Sequence, residues 1–350
     1  MINNNKVQAL FRPWQSWLIF FIAGFFFLYE FVIQISPNVM SNQLMQSFLI
    51  DATGLGIISG AYYITYTIMQ IPVGLLYDRY GPRKLLSLAC VSCALGAIIF
   101  GIAHSIEIAS VGRMLMGAGS AFAFTGCLVL VHRWFPARYF ALMAGCVMIM
   151  SALGSIIGET PLATAVIAHG WRDTINFIAV IGFFLAALIF LIVRDSPENS
   201  EFHTIHDQAD EIYRLREVTK DKQTWIVAIY AFTSWAPVLI MPAFIGVLFI
   251  KTAYGVTTTS AANAIAMSWL GIALGSPFVG WLSDKIQDRT KILAACSALG
   301  LVSMCFVIYY PNIGFHWACF WLFIFLRFHI YNTNSSSSIF SIYIREYFTH

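Results

Sequence analysis

The sequence predicts an all-helical membrane protein of two related halves, a six-helix N-terminal bundle followed by an incomplete C-terminal one. Three observations carry this. Of 350 residues, 59% are hydrophobic and 11% charged, more apolar surface than a soluble core of this size requires. Apolar stretches of the roughly 20 residues that a membrane span needs recur along the chain between short polar breaks. A charged segment, "GLLYDRYGPRKLL" from Gly74 to Leu86, returns in degenerate form as "GWLSDKIQDRTKIL" from Gly280 to Leu293.

In chain order the predicted spans lie near residues 14 to 37, 53 to 77, 85 to 104, 108 to 132, 139 to 165, 174 to 193, 224 to 250, 258 to 282 and 292 to 310, with a tenth candidate at 315 to 330. Lys6 and Arg12 precede the first run as they would precede a signal peptide. The run is long and no small-residue cleavage site follows it, so it is read as a retained span. With the N-terminus inside, the inner segments carry nearly all the Lys and Arg, and the outer loops hold only Arg172 and Lys251. That asymmetry places the N-terminus and both charged repeats in the cytoplasm.

The stretch 194–222 holds 13 of the 37 Asp, Glu, Lys and Arg residues and reads as a cytosolic linker. The expected organisation is a transmembrane bundle at 1–193, the linker at 194–222, a partial bundle at 223–330 and a Ser/Asn-rich tail at 331–350. The repeats match Gly74 with Gly280, Asp78 with Asp284, Arg79 with Lys285 and Arg83 with Arg289. A duplicated six-span unit is a transporter architecture. At that offset a full second half is expected to run to about residue 400, whereas the sequence stops at His350, so about two spans are expected to be missing. The expectation is a truncated or frame-shifted C-terminus, with a ten-span protein as the alternative.

Several classes are set aside. No Gly-x-x-x-x-Gly-Lys-Ser/Thr phosphate loop, His-Glu-x-x-His or Gly-x-Ser-x-Gly motif occurs, which argues against ATP drive and against an enzyme. All seven cysteines fall in apolar segments, so Cys90 and Cys93 read as packing rather than as a metal or redox pair. No cofactor, metal or nucleic-acid partner is expected.

Ionisable groups inside spans are functional candidates because each is costly there. Glu30, Arg113 and Glu159 are such groups, all at roughly mid to outer depth, and one cavity could hold them. Glu30 is followed at helical spacing by Gln34 and Asn38, and Ser151 and Ser155 lead to Glu159. Tyr62, Tyr66 and Gln70 repeat the spacing in the second span, where helix packing is the competing explanation. The expected roles are proton coupling at Glu30, tuned by desolvation, substrate or Arg113, against a structural hydrogen bond. Arg113 would grip a substrate carboxylate or pair with a Glu. Glu159 could serve the same site or simply reach water. Pro72, Pro161, Pro237 and Pro242 are candidate kinks.

At this point the residues resemble the major facilitator superfamily of secondary transporters. Gly74, Asp78, Arg79, Gly81, Arg83 and Lys84 match its loop motif after the second span, with Asp284 and Arg289 in the degenerate copy. Arg113, Gly117 and Gly119 are similar to its fourth-span motif, and Gly145, Gly154 and Gly158 to its glycine-rich fifth span, where Glu159 departs from a common Pro. "LYEFVIQISPNVM" and "FPARYFALMAG" look like the branch with bacterial phagosomal nutrient transporters and a lysosomal dipeptide transporter. The resemblance implies alternating access, proton-coupled symport of an amino acid or short peptide, a monomer in a bacterial inner membrane, and a gating latch from Asp78 to an eleventh span. A topology anchor is the simpler role for that motif. An organic-anion antiporter or uniporter, and a non-transporting fragment, are the competing functions.

Overall fold

The computed structural model describes residues 13–136, 139–197, 220, 222–286, 289–310 and 315–329. The regular structure there is helical, as the composition predicts, and the chain divides into two compact units, Met1–Thr204 and Ile205–His350. The division falls within the charged stretch 194–222. The tail 331–350 lies outside the described residues.

The first unit holds α1 (Pro13–Phe48), α2 (Ala52–Tyr80), α3 (Pro82–Gly101), α4 (Ile106–Trp134), α5 (Phe140–His169) and α6 (Trp171–Ile192). α4 packs on α1, α2 and α3, while α1 packs on α5 and α3 on α6. Small residues permit this closeness. A Cβ at Gly112 would come within 2.7 Å of the Phe100 amide on α3. One at Gly154 would collide with the Leu28 carbonyl, and one at Gly158 would stand 3.3 Å from Val32 Cα, both on α1.

One boundary differs clearly from the sequence expectation. α1 continues to Phe48 instead of stopping at residue 37, because the polar run from Gln34 to Ser41 is buried against neighbouring helices rather than exposed at a membrane surface. By length and hydropathy, five described helical stretches can cross a membrane: Trp14–Phe48, Pro82–Gly101, Ile106–Trp134, Leu142–His169 and Trp171–Ile192. α2 is absent from that set because Tyr62, Tyr63, Tyr66, Gln70 and its threonines dilute its hydropathy. Its outward stripe is nevertheless apolar, with Ile57, Ile64, Ile68, Ile71 and Leu75 all exposed at helical spacing. Such a face suits lipid.

α2 starts where Asp51 Oδ1 accepts a 2.9 Å bond from the Gly54 N–H, and this cap holds the Asp51 carboxyl below its ordinary range. α2 and α3 meet at Gly81, whose φ of 76° favours glycine. An added Cβ there would also meet Asp195 Oδ1 at 2.6 Å. That carboxylate accepts a 2.8 Å bond from the Arg83 N–H, so the first residues after α6 cap α3. The Arg83 Nε donates to Phe190 O at 2.8 Å and its guanidinium lies 4.8 Å from the Phe190 ring centre. Trp134 Nε1 adds a 3.0 Å bond to Arg194 O. Asp195→Ala is expected to remove about 1 kcal/mol of this anchoring and to speed tryptic cleavage after Arg194; an unchanged cleavage rate means the anchor lies elsewhere.

The second unit holds α7 (Lys222–Val238), a π-helical segment (Leu239–Ile245), α8 (Gly246–Tyr254), α9 (Thr258–Ile286), α10 (Arg289–Tyr309) and α11 (Phe315–His329). The predicted seventh span is therefore one helical run widened around Pro242, whose missing N–H breaks the regular ladder. The tenth candidate is a helix, and Trp321 of α11 stacks on Phe306 of α10 at 4.7 Å.

Candidate functional site

The candidate site of the first unit is assembled by α1, α2 and α4. Glu30, Tyr62 and Arg113 are all buried there. The Tyr62 hydroxyl donates to Glu30 Oε1 at 2.6 Å, while Oε2 has no hydrogen-bond partner among the described residues. The Arg113 guanidinium stands 4.6 Å from the Tyr62 ring centre, a desolvated cation–π contact of about 2 kcal/mol. Tyr66, half-buried and one turn along α2, stacks on Tyr62 at 5.9 Å with planes 14° apart.

Of the two roles expected for Arg113, pairing with a Glu is not what the described residues show, because Arg113 bonds main-chain carbonyls instead. Its Nη1 donates to Ile33 O at 2.7 Å and to Met116 Sδ at 3.5 Å, and Nη2 donates to Gln34 O at 3.2 Å. The reason lies in α1. Pro37 stands inside that helix and has no N–H for the carbonyl four residues back. That carbonyl is Ile33 O. Arg113 supplies the missing donor, assisted by Ser36 Oγ at 2.9 Å. Among the described residues, Nε of Arg113 is left without a partner.

The α4 motif explains how the guanidinium arrives there. A Cβ on Gly117, one turn beyond Arg113, would overlap the Tyr62 carbonyl, and Thr65 Oγ1 donates across the same seam to Met114 O at 2.7 Å. Gly119 faces the opposite way, its Cβ position 2.7 Å from Cys93 Sγ on α3. Within seven residues α4 thus touches three helices.

Glu159 does not join this cluster directly. Asn38 Nδ2 donates to its Oε1 at 3.3 Å, and Asn38 lies two turns, about 12 Å, along α1 from Glu30. The expected water-lined stripe below it is satisfied internally: Ser155 Oγ donates to Ser151 O at 2.9 Å and Ser151 Oγ to Met148 O at 2.7 Å. Gln34 is buried on the α1 face of Glu30, and its Oε1 lacks a partner among the described residues. Gln70 is exposed.

Of the loop motif, Gly81 and Arg83 form the anchor with Asp195, Arg79 lies 5.2 Å from the Tyr80 ring centre, and Lys84 is exposed. Gly74 has no atom within 4 Å of its Cβ position. The side chains of Asp78, Asp284 and Arg289 lie outside the described residues. Cys90 and Cys93 donate to Gly182 O at 3.2 Å and Met116 O at 3.4 Å, as packing thiols do.

Sequence reasoning missed Pro37 and Asp195. Pro37 was visible as a proline among Gln34, Asn38 and Ser41, a polar face that only a buried helix keeps. Asp195 carried no local signal.

The chain resembles known transporters in sequence and fold. It is 23% identical over 288 residues to the "Probable sulfoacetate transporter SauU" of Cupriavidus necator, covering 78% of this chain and 64% of that one. It is 22% identical over 277 residues to the Hexuronate transporter of Bacillus subtilis, covering 78% and 65%. The Membrane sensor protein UhpC of Salmonella typhimurium matches at 21%, covering 83% and 69%. The chain therefore spans less than two thirds of the length of the first two. The crystal structure of a bacterial homolog of the human lysosomal transporter Spinster, inward-facing and unoccupied, superposes with a TM-score of 0.72 at 15% identity, covering 93% of this chain and 74% of that one. The profile of the Major Facilitator Superfamily matches residues 13–347, and the chain belongs to that family of membrane transporters.

Proposed function

We propose that this chain is a secondary active transporter that carries a small polar metabolite, an amino acid or short peptide, by alternating access coupled to protons. It works as a monomer in a bacterial inner membrane with its N-terminus in the cytoplasm. One observation carries the reading. A buried carboxylate, Glu30, is held by Tyr62 through one oxygen, while among the described residues the other is unpartnered and no guanidinium bond neutralises it. A group so placed is far more stable neutral than charged, which ties its proton to the state of the bundle.

A second reading, antiport or uniport of an organic anion, is favoured by the names of the relatives, which include sulfoacetate and hexuronate transporters. Arg113 argues against it, because both its terminal nitrogens are held by main-chain carbonyls. A carboxylate ligand would have to displace them.

Uptake of radiolabelled amino acids, dipeptides and sugar acids into proteoliposomes, with and without an imposed pH gradient, tests these readings. Gradient-driven uptake of an amino acid or peptide is expected, reduced at least tenfold in Glu30→Gln. Gradient-independent uptake of a sugar acid would establish the second reading. A folded preparation that carries nothing points to a chain that does not transport by itself.

A further inference from the structure

We propose that the proton held by Glu30 sits on Oε2 and is shared with Oε1 of Gln34, which makes Gln34 a positioning residue for proton coupling. This rests on the proton-coupled reading of the site.

Gln34 follows Glu30 by four residues, so the two side chains lie on one face of α1 with Cβ atoms about 5–6 Å apart. Both are at least nine-tenths buried, at 1% and 5% exposure. The two atoms left without partners, Glu30 Oε2 and Gln34 Oε1, are both acceptors. Two buried acceptors on one helix face, each without a donor among the described residues, are each under-satisfied. A single proton on Oε2 satisfies both, since a protonated carboxyl donates one bond and an amide oxygen accepts it.

Among the described residues, Oε2 is the carboxyl oxygen left open for the proton. Oε1 is already taken as acceptor by the Tyr62 hydroxyl at 2.6 Å. The titratable groups that feel Glu30 are Tyr62, Tyr63 and Tyr66 on α2, Cys93 on α3 and Cys127 on α4, none of them a carboxylate. Arg113 on α4 stacks on Tyr62 and bonds the main chain of α1. On α5 the nearest carboxyl is Glu159, engaged with Asn38, and α6 presents no titratable group to Glu30 among the described residues. An ionised Glu30 would hold its charge in a buried setting with one hydrogen bond among the described residues, from Tyr62. The neutral form avoids that cost.

Infrared difference spectroscopy on the purified full chain in lipid nanodiscs tests this without any substrate. Between neutral and alkaline pH, a protonated-carboxyl stretching band is expected in the wild type. It should be lost in Glu30→Gln, and in Gln34→Met it should move to the higher frequency of an acid without an acceptor. Tyr62→Phe removes the donor to the carbonyl oxygen Oε1 and leaves Oε2 untouched, so its band should persist at a higher frequency, and a thermal unfolding midpoint near the wild-type value shows that the Gln34 variant is folded. A band that persists in Glu30→Gln, or one that does not move in Gln34→Met, overturns the proposal. If the bands behave as expected while proteoliposomes show no gradient-driven uptake, the shared proton stands and the transport reading fails.

Discussion

Arg113→Met is expected to destabilise the first unit by about 3 kcal/mol, and Pro37→Ala is expected to return at least about 1 kcal/mol of that loss. Methionine keeps the length of the side chain and donates nothing. The Ile33 and Gln34 carbonyls, which accept from Arg113 at 2.7 and 3.2 Å, then lose charge-assisted donors in a buried setting, at about 1.5–3 kcal/mol for each such bond. Alanine at 37 restores the N–H that a regular helix directs at Ile33 O, so the carbonyl no longer depends on α4. Denaturant unfolding of the four proteins of the cycle, followed by tryptophan fluorescence, measures the coupling. If Arg113 serves instead as a ligand for a substrate carboxylate, Arg113→Met lowers uptake without loss of stability and the coupling to Pro37 is zero.

The same pair shows which parts of the molecule can be read in the sequence. Spans follow from composition, and the charges Glu30, Arg113 and Glu159 are conspicuous because burial in an apolar helix is costly. Their partners are not conspicuous. Sequence reasoning pairs a buried cation with a buried anion, whereas Arg113 bonds two main-chain carbonyls that no sequence pattern displays. The early end assigned to α1 has the same origin: a proline followed by polar residues ends a helix in isolation, but a donor from another helix lets it continue. Asp195 reads as one more charge in a solvated linker, yet its carboxylate occupies the space that a Cβ at 81 would take. Gly117 and Gly119 stand out as a small-residue pattern, while the opposite directions in which they face depend on the placement of α2 and α3.

Gly117→Val carries the second large effect, a loss of about 3 kcal/mol together with the geometry of the site. Overpacking commonly costs about 1–3 kcal/mol when neighbours can yield. Here the obstruction is backbone: a Cβ would overlap the Tyr62 carbonyl and approach Thr65 Oγ1 to 2.6 Å. α2 and α4 must separate, which breaks the 2.7 Å bond from Thr65 Oγ1 to Met114 O. The same movement withdraws Tyr62 from Glu30 Oε1 and from the face of Arg113. Gly145→Val on α5 is the matched control, because no atom lies within 4 Å of its Cβ position, and its effect is expected to stay within about 0.5 kcal/mol. Thermal unfolding in detergent separates the two. Tyr62→Phe then isolates the hydroxyl, since the ring still covers Arg113 and only the bond to Glu30 is gone. If Gly117→Val and Tyr62→Phe lower gradient-driven uptake equally, the hydroxyl is the part of the seam that function uses. If Gly117→Val is as stable and as active as Gly145→Val, α2 does not approach α4 closely enough to hold Tyr62, and the cluster built on it is not the site.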